Sequence, residues 1–386
     1  MYFYCIKPIL LMDKPTKAMN RLKRFLLPSC LAFVTALSSG CGSGSESVPS
    51  LPDYPVAGGV SAPFAGCLSN RLIVAGGCNF PGVPAAEGGR KAYYAETYGL
   101  SLTSSSPQWM PLASLPVPTA YGASIQVPQG IVCVGGQNEL SSLSTAFLLQ
   151  WDDDARQLLS SPLPSLPLTI DNAGGAYADG KVIVTGGNQT DRGQGVYALD
   201  LNRPEAWQKL CDYPGPRRVQ PIVLAHASSL YLIGGFDARQ QDSESTLSTN
   251  ILRYDLTTHE WSEEAQLPAD AEGTPRCLVG GSGVCTDDCL ILAGGVNYAI
   301  FKEAVEGKAP ADYLKQPREW YKFNRDVLVY HLKDRRWSTH PIPDGTNKAG
   351  GILVHYRNFL YMVCGETKPG IRTQEVVTVP LQELLR

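Results

Sequence analysis

One acid and two bases stand close together near the end of this 386-residue chain. Glu366, Lys368 and Arg372 follow one strand-like apolar run, residues 359–364, and precede another, residues 375–379. A carboxylate can act as a general acid or base, and a cation can bind an anionic substrate. Because polar loops between strands often carry function, we predict that this segment holds the chemistry and that the rest of the chain positions it.

The strand before this segment is the last of six similar apolar runs, five of which end in Gly-Gly and the sixth in Cys-Gly. These runs are residues 72–77, 131–136, 182–187, 230–235, 290–295 and 360–365. Their last residues are 59, 51, 48, 60 and 70 positions apart, near the period of roughly 50 residues typical of kelch repeats. Tyr254 and Trp261 then share the spacing of Tyr330 and Trp337, as expected for aromatic packing between blades. The pattern predicts an all-β fold, a six-bladed kelch-type β-propeller.

A Leu-Pro-like dipeptide follows the tryptophan position of five units and indicates how the ring closes. It occurs at residues 115–116, 166–167, 213–214, 267–268 and 342–343. The sixth copy lies before the first repeat instead, at residues 51–52. We therefore expect the N-terminal strand to complete the last blade, so that no blade edge is left exposed.

The start of the chain reads as a targeting leader rather than as part of the fold. Counted from Met19, three basic residues precede an apolar run, residues 25–37, that is too short to span a bilayer. The residues up to Cys41 resemble a lipobox, which implies a lipid on Cys41 and anchoring in the periplasm to the outer membrane; cleavage to a soluble periplasmic form is the alternative. The boundaries are residues 1–41 for the leader, 42–50 for a tether and 51–386 for the propeller.

Charge and cysteine usage limit the possible functions. A formal net charge of -3 argues against a nucleic-acid-binding surface. Cys285 and Cys289 are near enough in sequence to bridge in an oxidising compartment, but their spacing does not match a zinc site, and the sequence leaves the disulfide open. The five histidines are scattered, which disfavours a copper-dependent oxidase site.

Loops that follow the glycine pairs and loops that follow the Leu-Pro signals should open on one face of the ring. The polar residues expected there are Asn79, Gln137, Asn138, Asn188, Gln189, Asp237, Asn297 and Glu366, with Arg217 and Arg218 entering from a blade boundary. A ring of amides suits a polyhydroxylated ligand, although each amide taken alone fits an ordinary loop residue equally well. The aromatic-rich insertion at residues 296–325 is expected to form a lid over this face or a flap outside the propeller.

Three segments resemble the bacterial N-acetylneuraminate epimerase family. They are Gly-Glu-Thr-Lys-Pro-Gly-Ile-Arg-Thr at residues 365–373, Gly-Gly-Val-Asn at 294–297 with Ile300 and Phe301, and Val-Ala-Gly-Gly at 56–59 with Phe-Ala-Gly at 64–66. Members of this family are six-bladed kelch-type sialic acid mutarotases of the periplasm, and the similarity runs from about Leu51 to the end. In the family the first motif directly precedes the Ala-Gly-Gly blade, whereas here the two lie at opposite ends. The chain thus resembles a circularly permuted branch.

The resemblance implies roles for single residues. Glu366 matches the proton acceptor and Arg372 completes the catalytic motif, while either Arg372 or Arg217 would bind the substrate carboxylate. Lys368 would assist protonation of the ring oxygen or stay solvated in its turn, and Asn297 would bind a sugar hydroxyl or cap its own turn. Asn79 and Asn188, which the loop positions and not the resemblance place on the site face, are the other predicted substrate-binding residues. The implied reaction interconverts the anomers of N-acetylneuraminic acid or a related sugar acid by acid–base ring opening and reclosure, and it requires no metal and no cofactor.

A kelch propeller does not by itself name a function. The alternative is a non-catalytic lipoprotein that binds glycans or proteins through the same face. Hydrolysis of a sialoside is disfavoured, because the sequence shows no paired carboxylates beside an arginine triad.

Overall fold

A computed structural model describes residues 48–238, 244–286, 288–341 and 345–385. The predicted leader and most of the predicted tether lie outside these residues. Within them, no helix combines the length and apolarity needed to cross a membrane.

Six antiparallel sheets confirm the predicted all-β, six-bladed propeller. We number them blades 1 to 6 in chain order. Blades 1 to 3 contain the strands Phe64–Leu68, Arg71–Ala75, Thr97–Ser101 and Trp109–Leu112; Ala123–Val127, Gly130–Val134, Ala146–Asp152 and Gln157–Leu163; and Gly174–Ala178, Lys181–Thr185, Gly195–Asp200 and Gln208–Asp212. Blades 4 to 6 contain Ile222–His226, Ser229–Ile233, Asn250–Asp255 and Glu260–Gln266; Gly281–Cys285, Cys289–Gly294, Asp326–His331 and Arg336–Pro341; and Ile352–Tyr356, Phe359–Val363 and Val376–Pro380.

Shorter elements connect or follow the blade strands. Four two-stranded pairs are Cys78–Asn79 with Ala92–Tyr93, Ile170–Asp171 with Asn188–Gln189, Phe236–Asp237 with Thr246–Leu247, and Glu366–Lys368 with Ile371–Arg372. The helices are the α-helices Tyr298–Val305 and Leu381–Leu384 and the 3-10 turns Ala85–Glu87, Thr190–Arg192, Tyr313–Lys315 and Arg318–Tyr321.

The blades close into a ring around the first strand of each sheet. Each first strand contacts the first strand of the next blade, and Ile352–Tyr356 of blade 6 contacts Phe64–Leu68 of blade 1. Six buried hydrophobic clusters fill the six spaces between neighbouring blades. In the space between blades 6 and 1, for example, Val363 and Val74 are fully buried. Packing on both faces of every blade therefore explains why the second strands are apolar throughout rather than alternating.

The glycine pairs join neighbouring blades. The second residue of a pair donates its N–H to a carbonyl in the segment that enters the next blade, as Gly77 does to Thr119 at 2.8 Å and Gly365 of blade 6 does to Val60 at 2.9 Å. A Cβ on Gly76 would collide with the carbonyl oxygen of Thr119, and φ is +69° there, so glycine is required. Cys364 holds the same left-handed conformation, with φ at +53°, in the one run that lacks the first glycine.

The N-terminal strand predicted to complete blade 6 is not formed by the described residues. Blade 6 has three strands in this part of the chain, and residues 48–55 are irregular. Three of those residues are prolines, which lack the N–H group that a ladder needs. Tyr54 instead exchanges two hydrogen bonds with Gln374, from its own N–H at 2.7 Å and from the Gln374 side chain at 2.6 Å.

The segment nevertheless occupies the place at which a fourth strand would end. The indole N–H of Trp109 in blade 1 donates to the carbonyl of Pro52 at 2.9 Å. The equivalent bond in blade 3 joins Trp207 to Pro164, directly after the last strand of blade 2. Residues near Pro52 therefore stand in for the end of the blade before blade 1.

Cys285 and Cys289 are not bridged to each other. In the hairpin that holds them Cys285 pairs with Leu290, so Cys289 lies one position out of register and its side chain points to the opposite face of the blade. Cys285 packs toward blade 4 and Cys289 toward blade 6. Because their side chains diverge, a bridge would require the hairpin to rearrange.

Candidate active site

A cavity of about 480 Å³ opens on the face predicted to carry the site. Its wall combines residues that enter the blades, residues of the insertion in blade 5, and Glu366 from the C-terminal motif. The polar residues Asn172 and Gln220 lie on one side, and Phe236 and Phe301 lie among the apolar residues of the wall. The space thus offers directional hydrogen bonds beside an apolar surface.

Six residues at one repeat position surround the mouth of the central channel. They are Ala62, Tyr121, Asn172, Gln220, Gly280 and Gly350, each 14 residues before the first residue of a glycine pair or of its Cys-Gly equivalent. All six have a positive φ, and all six line the cavity. Backbone hydrogen bonds run from one to the next, including Tyr121 N–H to Ala62 at 2.9 Å and Asn172 N–H to Tyr121 at 2.7 Å. This ring fixes the backbone from which Tyr121, Asn172 and Gln220 project.

Sequence reasoning missed these three side chains. It placed Arg217 and Arg218 at the blade entrance, although the constant spacing of 14 residues before each glycine pair would have singled out Tyr121, Asn172 and Gln220. Gln220 donates to the side chain of Asn172 at 3.0 Å, which holds the two amides side by side.

The insertion lines the cavity, as expected of a lid. Its helix Tyr298–Val305 presents Phe301, and the segment after it presents Tyr313 and Phe323. The Lys368 ammonium donates to the carbonyl of Gln316 at 2.7 Å and so ties the insertion to the C-terminal motif. Lys368 therefore holds the lid and does not line the cavity.

Glu366 and Arg372 face each other across a short hairpin. Strand Glu366–Lys368 pairs with strand Ile371–Arg372, so the two side chains project together. Nη2 of Arg372 lies 2.6 Å from Oε1 of Glu366, and the arginine side chain is 2 % exposed against 22 % for the glutamate. The guanidinium also stacks over the ring of Phe80 at 4.8 Å. Nε and Nη1 of Arg372 have no hydrogen-bond partner among the described residues.

Burial raises the pKa of Glu366 above its usual value, and the charges of Arg372 and Lys91 oppose this by lowering it. The net pKa is raised, because loss of solvent outweighs the two cations. A carboxylate whose pKa is raised in this way is closer to the pH at which a proton acceptor works best.

A second group of side chains reaches the same cavity from blades 1 and 2. The hydroxyl oxygen of Tyr121 accepts a hydrogen bond from the Lys91 ammonium at 3.0 Å and one from the Cys78 thiol at 3.2 Å. Burial raises the pKa of Tyr121 well above its usual value, and the neighbouring Cys78 and Glu366 add to the shift. Tyr121 is therefore a neutral phenol in the resting site.

The predicted residues Arg217 and Asn188 lie in a different cluster. Nη1 of Arg217 is 3.3 Å from the carboxylate of Asp237, and Nη2 donates to the side chain of Asn188 at 3.3 Å. Asn188 also donates to Asp171 at 2.8 Å, while Asp237 forms a second ion pair with Arg192 at 2.9 Å. The cluster lies between blades 3 and 4, and neither Arg217 nor Asn188 lines the cavity.

Three other polar residues of the predicted face serve the fold. The Asn79 amide donates to the carbonyls of Ala57 and Gly59 and accepts from Tyr94. Asn297 caps the insertion helix by accepting from the N–H of Ile300 at 3.1 Å, the structural role left open by the sequence. Arg218 is buried and donates to three backbone carbonyls and to the side chain of Asn250.

A family model described as N-acetylneuraminate epimerase matches residues 163–384. The N-acetylneuraminate epimerase of Haemophilus influenzae (strain PittEE) is 31% identical over 225 residues, which cover 55% of this chain and 57% of that protein. The N-acetylneuraminate epimerase of Salmonella enteritidis PT4 (strain P125109) is 27% identical over 229 residues, which cover 56% and 58%. A solved structure titled "Structure of YjhT" superposes with a TM-score of 0.59 at 17% identity, covering 86% of this chain and 98% of that one.

The sequence matches and the structural match cover different shares of the related proteins. The chain spans only a little over half the length of the two relatives it matches in sequence, whereas the structural superposition takes in nearly all of the solved structure. The structural likeness bears on the fold, and the family match includes the segment that carries Glu366 and Arg372.

Proposed function

The chain belongs to the N-acetylneuraminate epimerase family, and we propose on this basis that it interconverts the α and β anomers of N-acetylneuraminic acid or a related sugar acid. The observation that carries the proposal is a single one. A half-buried carboxylate, Glu366, is held by Arg372 at the wall of a cavity of about 480 Å³.

Glu366 is the proposed base. Opening the ring of a cyclic 2-keto sugar acid requires that the anomeric hydroxyl lose its proton while the ring oxygen gains one. An ionised carboxylate within hydrogen-bond reach can take the hydroxyl proton and return it when the ring closes on the other face. Positioned proton transfer of this kind is worth about 10²–10⁴-fold, which suffices for a reaction that already proceeds slowly in water.

Arg372 is the proposed partner of both the base and the substrate. Its Nη2 atom orients Glu366, and its charge lowers the pKa of that carboxylate. Buried donors without an acceptor are rare in folded proteins, so Nε and Nη1 mark a place for an oxygen supplied by the substrate carboxylate. Planar guanidinium donors suit such an oxygen well.

The wall of the cavity suits a sugar acid that carries an acylamino group. Asn172 and Gln220 can exchange hydrogen bonds with hydroxyls, and Phe236, Phe301 and Tyr313 can pack against a methyl group or a sugar face. An apolar insertion over a polar floor also excludes water from the reacting carbon.

Proton NMR of freshly released α-N-acetylneuraminic acid tests the proposal. The α-to-β exchange is followed with buffer alone, with the purified chain, and with the Glu366→Gln variant, which keeps the shape of the side chain and removes the base. We expect the wild-type chain to accelerate exchange and the variant to lose most of that effect. Exchange no faster than in buffer with the wild type would exclude this reaction for this sugar and favour a binding protein.

We also propose that the order of the blades is circularly permuted relative to the family. The family motif ends at Thr373, and in space that residue packs directly against Gly59, at the other end of the chain. Closely packed ends would let permutation leave the site unchanged. A relinked variant in which residue 385 is joined to residue 51 and the chain is reopened before residue 163 should fold and keep its exchange activity; loss of folding would argue against the proposal.

Export to the periplasm and anchoring through Cys41 complete the proposal, on the support of the leader pattern alone. Metabolic labelling with a fatty acid should mark the wild-type chain in the membrane fraction and leave the Cys41→Ala variant unlabelled. Equal labelling of the two would rule out Cys41 as the lipid site.

A further inference from the structure

We propose that Tyr121, with its hydroxyl oxygen bound to the Lys91 ammonium, is the acid that protonates the ring oxygen of the substrate. The inference rests on the proposed mutarotase function and adds the second half of its chemistry. Ring opening needs a proton donor as well as a base, and the C-terminal motif supplies only the base. Tyr121 lies in the wall of the same cavity as Glu366.

The alternative donor in the motif is already engaged. The Lys368 ammonium binds the carbonyl of Gln316 at 2.7 Å and holds the insertion in place. Lys368 does not line the cavity, whereas Tyr121 does. The donor must therefore come from outside the C-terminal motif.

The hydrogen bonds at Tyr121 set the direction of proton transfer. Its oxygen accepts from the Lys91 ammonium at 3.0 Å and from the Cys78 thiol at 3.2 Å. The Lys91 ammonium can only donate, so the phenol keeps its own hydrogen beside it, and among the described residues no oxygen or nitrogen accepts that hydrogen. A substrate oxygen in the cavity can accept it.

Lys91 makes the phenol a usable acid. Burial makes a phenol resist ionisation, and an ammonium 3.0 Å from its oxygen stabilises the phenolate formed during the reaction. The ammonium also lies 4.9 Å from the centre of the Tyr121 ring and 5.9 Å from that of Phe80, on whose ring Arg372 also stacks. The acid pair, Tyr121 and Lys91, and the base pair, Glu366 and Arg372, thus contact the same ring of Phe80 and reach the same cavity.

The proton balance of the cycle is complete. Glu366 takes the proton of the anomeric hydroxyl, the bond between the anomeric carbon and the ring oxygen breaks, and that oxygen takes the proton of Tyr121. The open chain rotates about the bond next to its ketone. On reclosure Tyr121 regains its proton from the attacking hydroxyl, and Glu366 returns its proton to the new anomeric oxygen. Acid and base end as they began, with no co-reactant.

The fold keeps Tyr121 in place without help from its hydroxyl. Its backbone belongs to the ring of six residues around the mouth of the central channel. The backbone N–H of Tyr121 donates to Ala62 at 2.9 Å, and its carbonyl accepts from Asn172 at 2.7 Å. Ala62 and Asn172 share its left-handed conformation, with φ at +51° and +52° against +62°. Phenylalanine at this position should therefore keep the fold and lose only the proton.

The test is Tyr121→Phe with Tyr93→Phe as its matched control, both measured as anomer exchange by proton NMR over a range of substrate concentrations. Tyr93 also has a bonded hydroxyl, which accepts from Gln137 at 2.6 Å, but it does not line the cavity. We expect Tyr121→Phe to lower kcat by about 10²-fold or more, with KM within about twofold of wild type, and Tyr93→Phe to change neither by more than about twofold. Thermal unfolding of each variant shows whether it folds.

Lys91→Met provides a readout that a structural role would not move. Arg372, Lys91 and the backbone N–H of Gly370 each lower the pKa of Glu366. Because the charge of Lys91 lowers the pKa of Glu366, its removal should shift the acid limb of the rate profile to higher pH, besides lowering kcat. A variant that keeps both the wild-type rate and the wild-type limb would overturn the role of Lys91, and would do so even if Tyr121→Phe failed to fold.

The outcomes separate the two levels of the proposal. If the wild type is active, Glu366→Gln is inactive and Tyr121→Phe keeps full activity, the acid is not Tyr121 and the mutarotase function stands. If the wild-type chain does not accelerate exchange, the function fails and the assignment of Tyr121 fails with it. Loss of kcat in Tyr121→Phe with an unchanged Tyr93→Phe control supports both.

Discussion

Arg372 and Arg217 are two buried arginines on the same face of the propeller, and each forms an ion pair with a carboxylate. Arg372 contacts Glu366 at 2.6 Å, and Glu366 lines the cavity. Two further nitrogen atoms of Arg372 have no partner among the described residues. This pair therefore reaches the cavity through Glu366 and keeps two unpartnered donors on Arg372.

The pair at Arg217 is bound to more neighbours, and only Nε of this arginine lacks a partner among the described residues. Its partner Asp237 contacts Arg192 as well. The Nη2 atom of Arg217 is bound to Asn188 and lies 3.5 Å from the carbonyl oxygen of Gly187. Neither Arg217 nor Asp237 lines the cavity. The comparison teaches that a buried arginine–carboxylate pair indicates a site only where one partner reaches an open space, since the same pair elsewhere joins two blades.

Neutralising the two carboxylates should separate the pairs most clearly. We expect Glu366→Gln to lower the rate of anomer exchange by about 10²–10⁴-fold, because the amide cannot take a proton. Asp237→Asn should leave the rate within about twofold of wild type, since Asp237 lies outside the cavity. Exchange rates from proton NMR at saturating substrate check both.

A slower exchange with Asp237→Asn than with Glu366→Gln would contradict the distinction between a catalytic and a structural pair. Both substitutions preserve side-chain shape, so a difference in rate reports charge and proton transfer rather than packing. Circular dichroism of the two variants serves as the folding control.

Replacing each arginine should again slow the reaction more at Arg372 than at Arg217, but by a smaller factor than for the carboxylates. Arg372→Met takes away the group that orients Glu366 and offers free donors to the substrate, so we expect kcat/KM to fall by roughly 10–100-fold, equivalent to about 1.4–2.7 kcal/mol. Arg217→Met should lower the free energy of unfolding and leave kcat/KM within about threefold, because its partners are structural. Kinetics and urea titration on the same preparations distinguish the two effects. A large fall in kcat/KM for Arg217→Met alone would assign the substrate carboxylate to Arg217.

The dependence of rate on pH should sharpen the assignment of the base. Glu366 acts only when ionised, and burial raises its pKa above the usual value, so the enzymatic rate should fall as the pH drops through a value higher than that of an exposed glutamate. The charge of Arg372 lowers that pKa, so Arg372→Met should move the acid limb to higher pH. Arg217→Met should leave the limb where it is. Rates between about pH 4 and 8, corrected for the exchange in buffer, measure the shift. An acid limb at the pH where an exposed glutamate titrates would contradict the assignment of Glu366 as the base.

The repeat pattern made the fold predictable. Six apolar runs ending in glycine correspond to the second strands of six blades, because each glycine pair must adopt a left-handed conformation to reach the next blade. The closing strand could not be predicted in the same way. The Leu-Pro signal at residues 51–52 predicted a strand that completes blade 6, and this was wrong, because the prolines there lack the donors that a ladder strand requires.

The motif also located Glu366 and Arg372, because the two side chains share one short hairpin and their contact is local in sequence. Asn79 and Asn297 illustrate the limit: a polar residue after a glycine pair can bind a sugar or its own backbone, and only the fold shows that both bind backbone. Tyr121 was missed because its neighbours Lys91 and Cys78 lie 30 and 43 residues away. Contacts between loops of different blades leave no pattern in a single sequence.

The smallest expected effect concerns the outer edge of the closed cluster. Arg192 is 44 % exposed and contacts Asp237, whose side chain is 22 % exposed, at 2.9 Å. An ion pair this accessible to water contributes about 0–1 kcal/mol, so Arg192→Ala should lower the free energy of unfolding by no more than that. Molar salt should reduce the difference, because screening weakens exposed pairs first. The exchange rate should not change, since Arg192 does not line the cavity and a second arginine, Arg217, still holds Asp237. If Arg192→Ala instead slowed exchange as strongly as Arg372→Met, charge on the blade 3 side of this face would reach the reacting sugar, and the two arginine pairs would belong to one site.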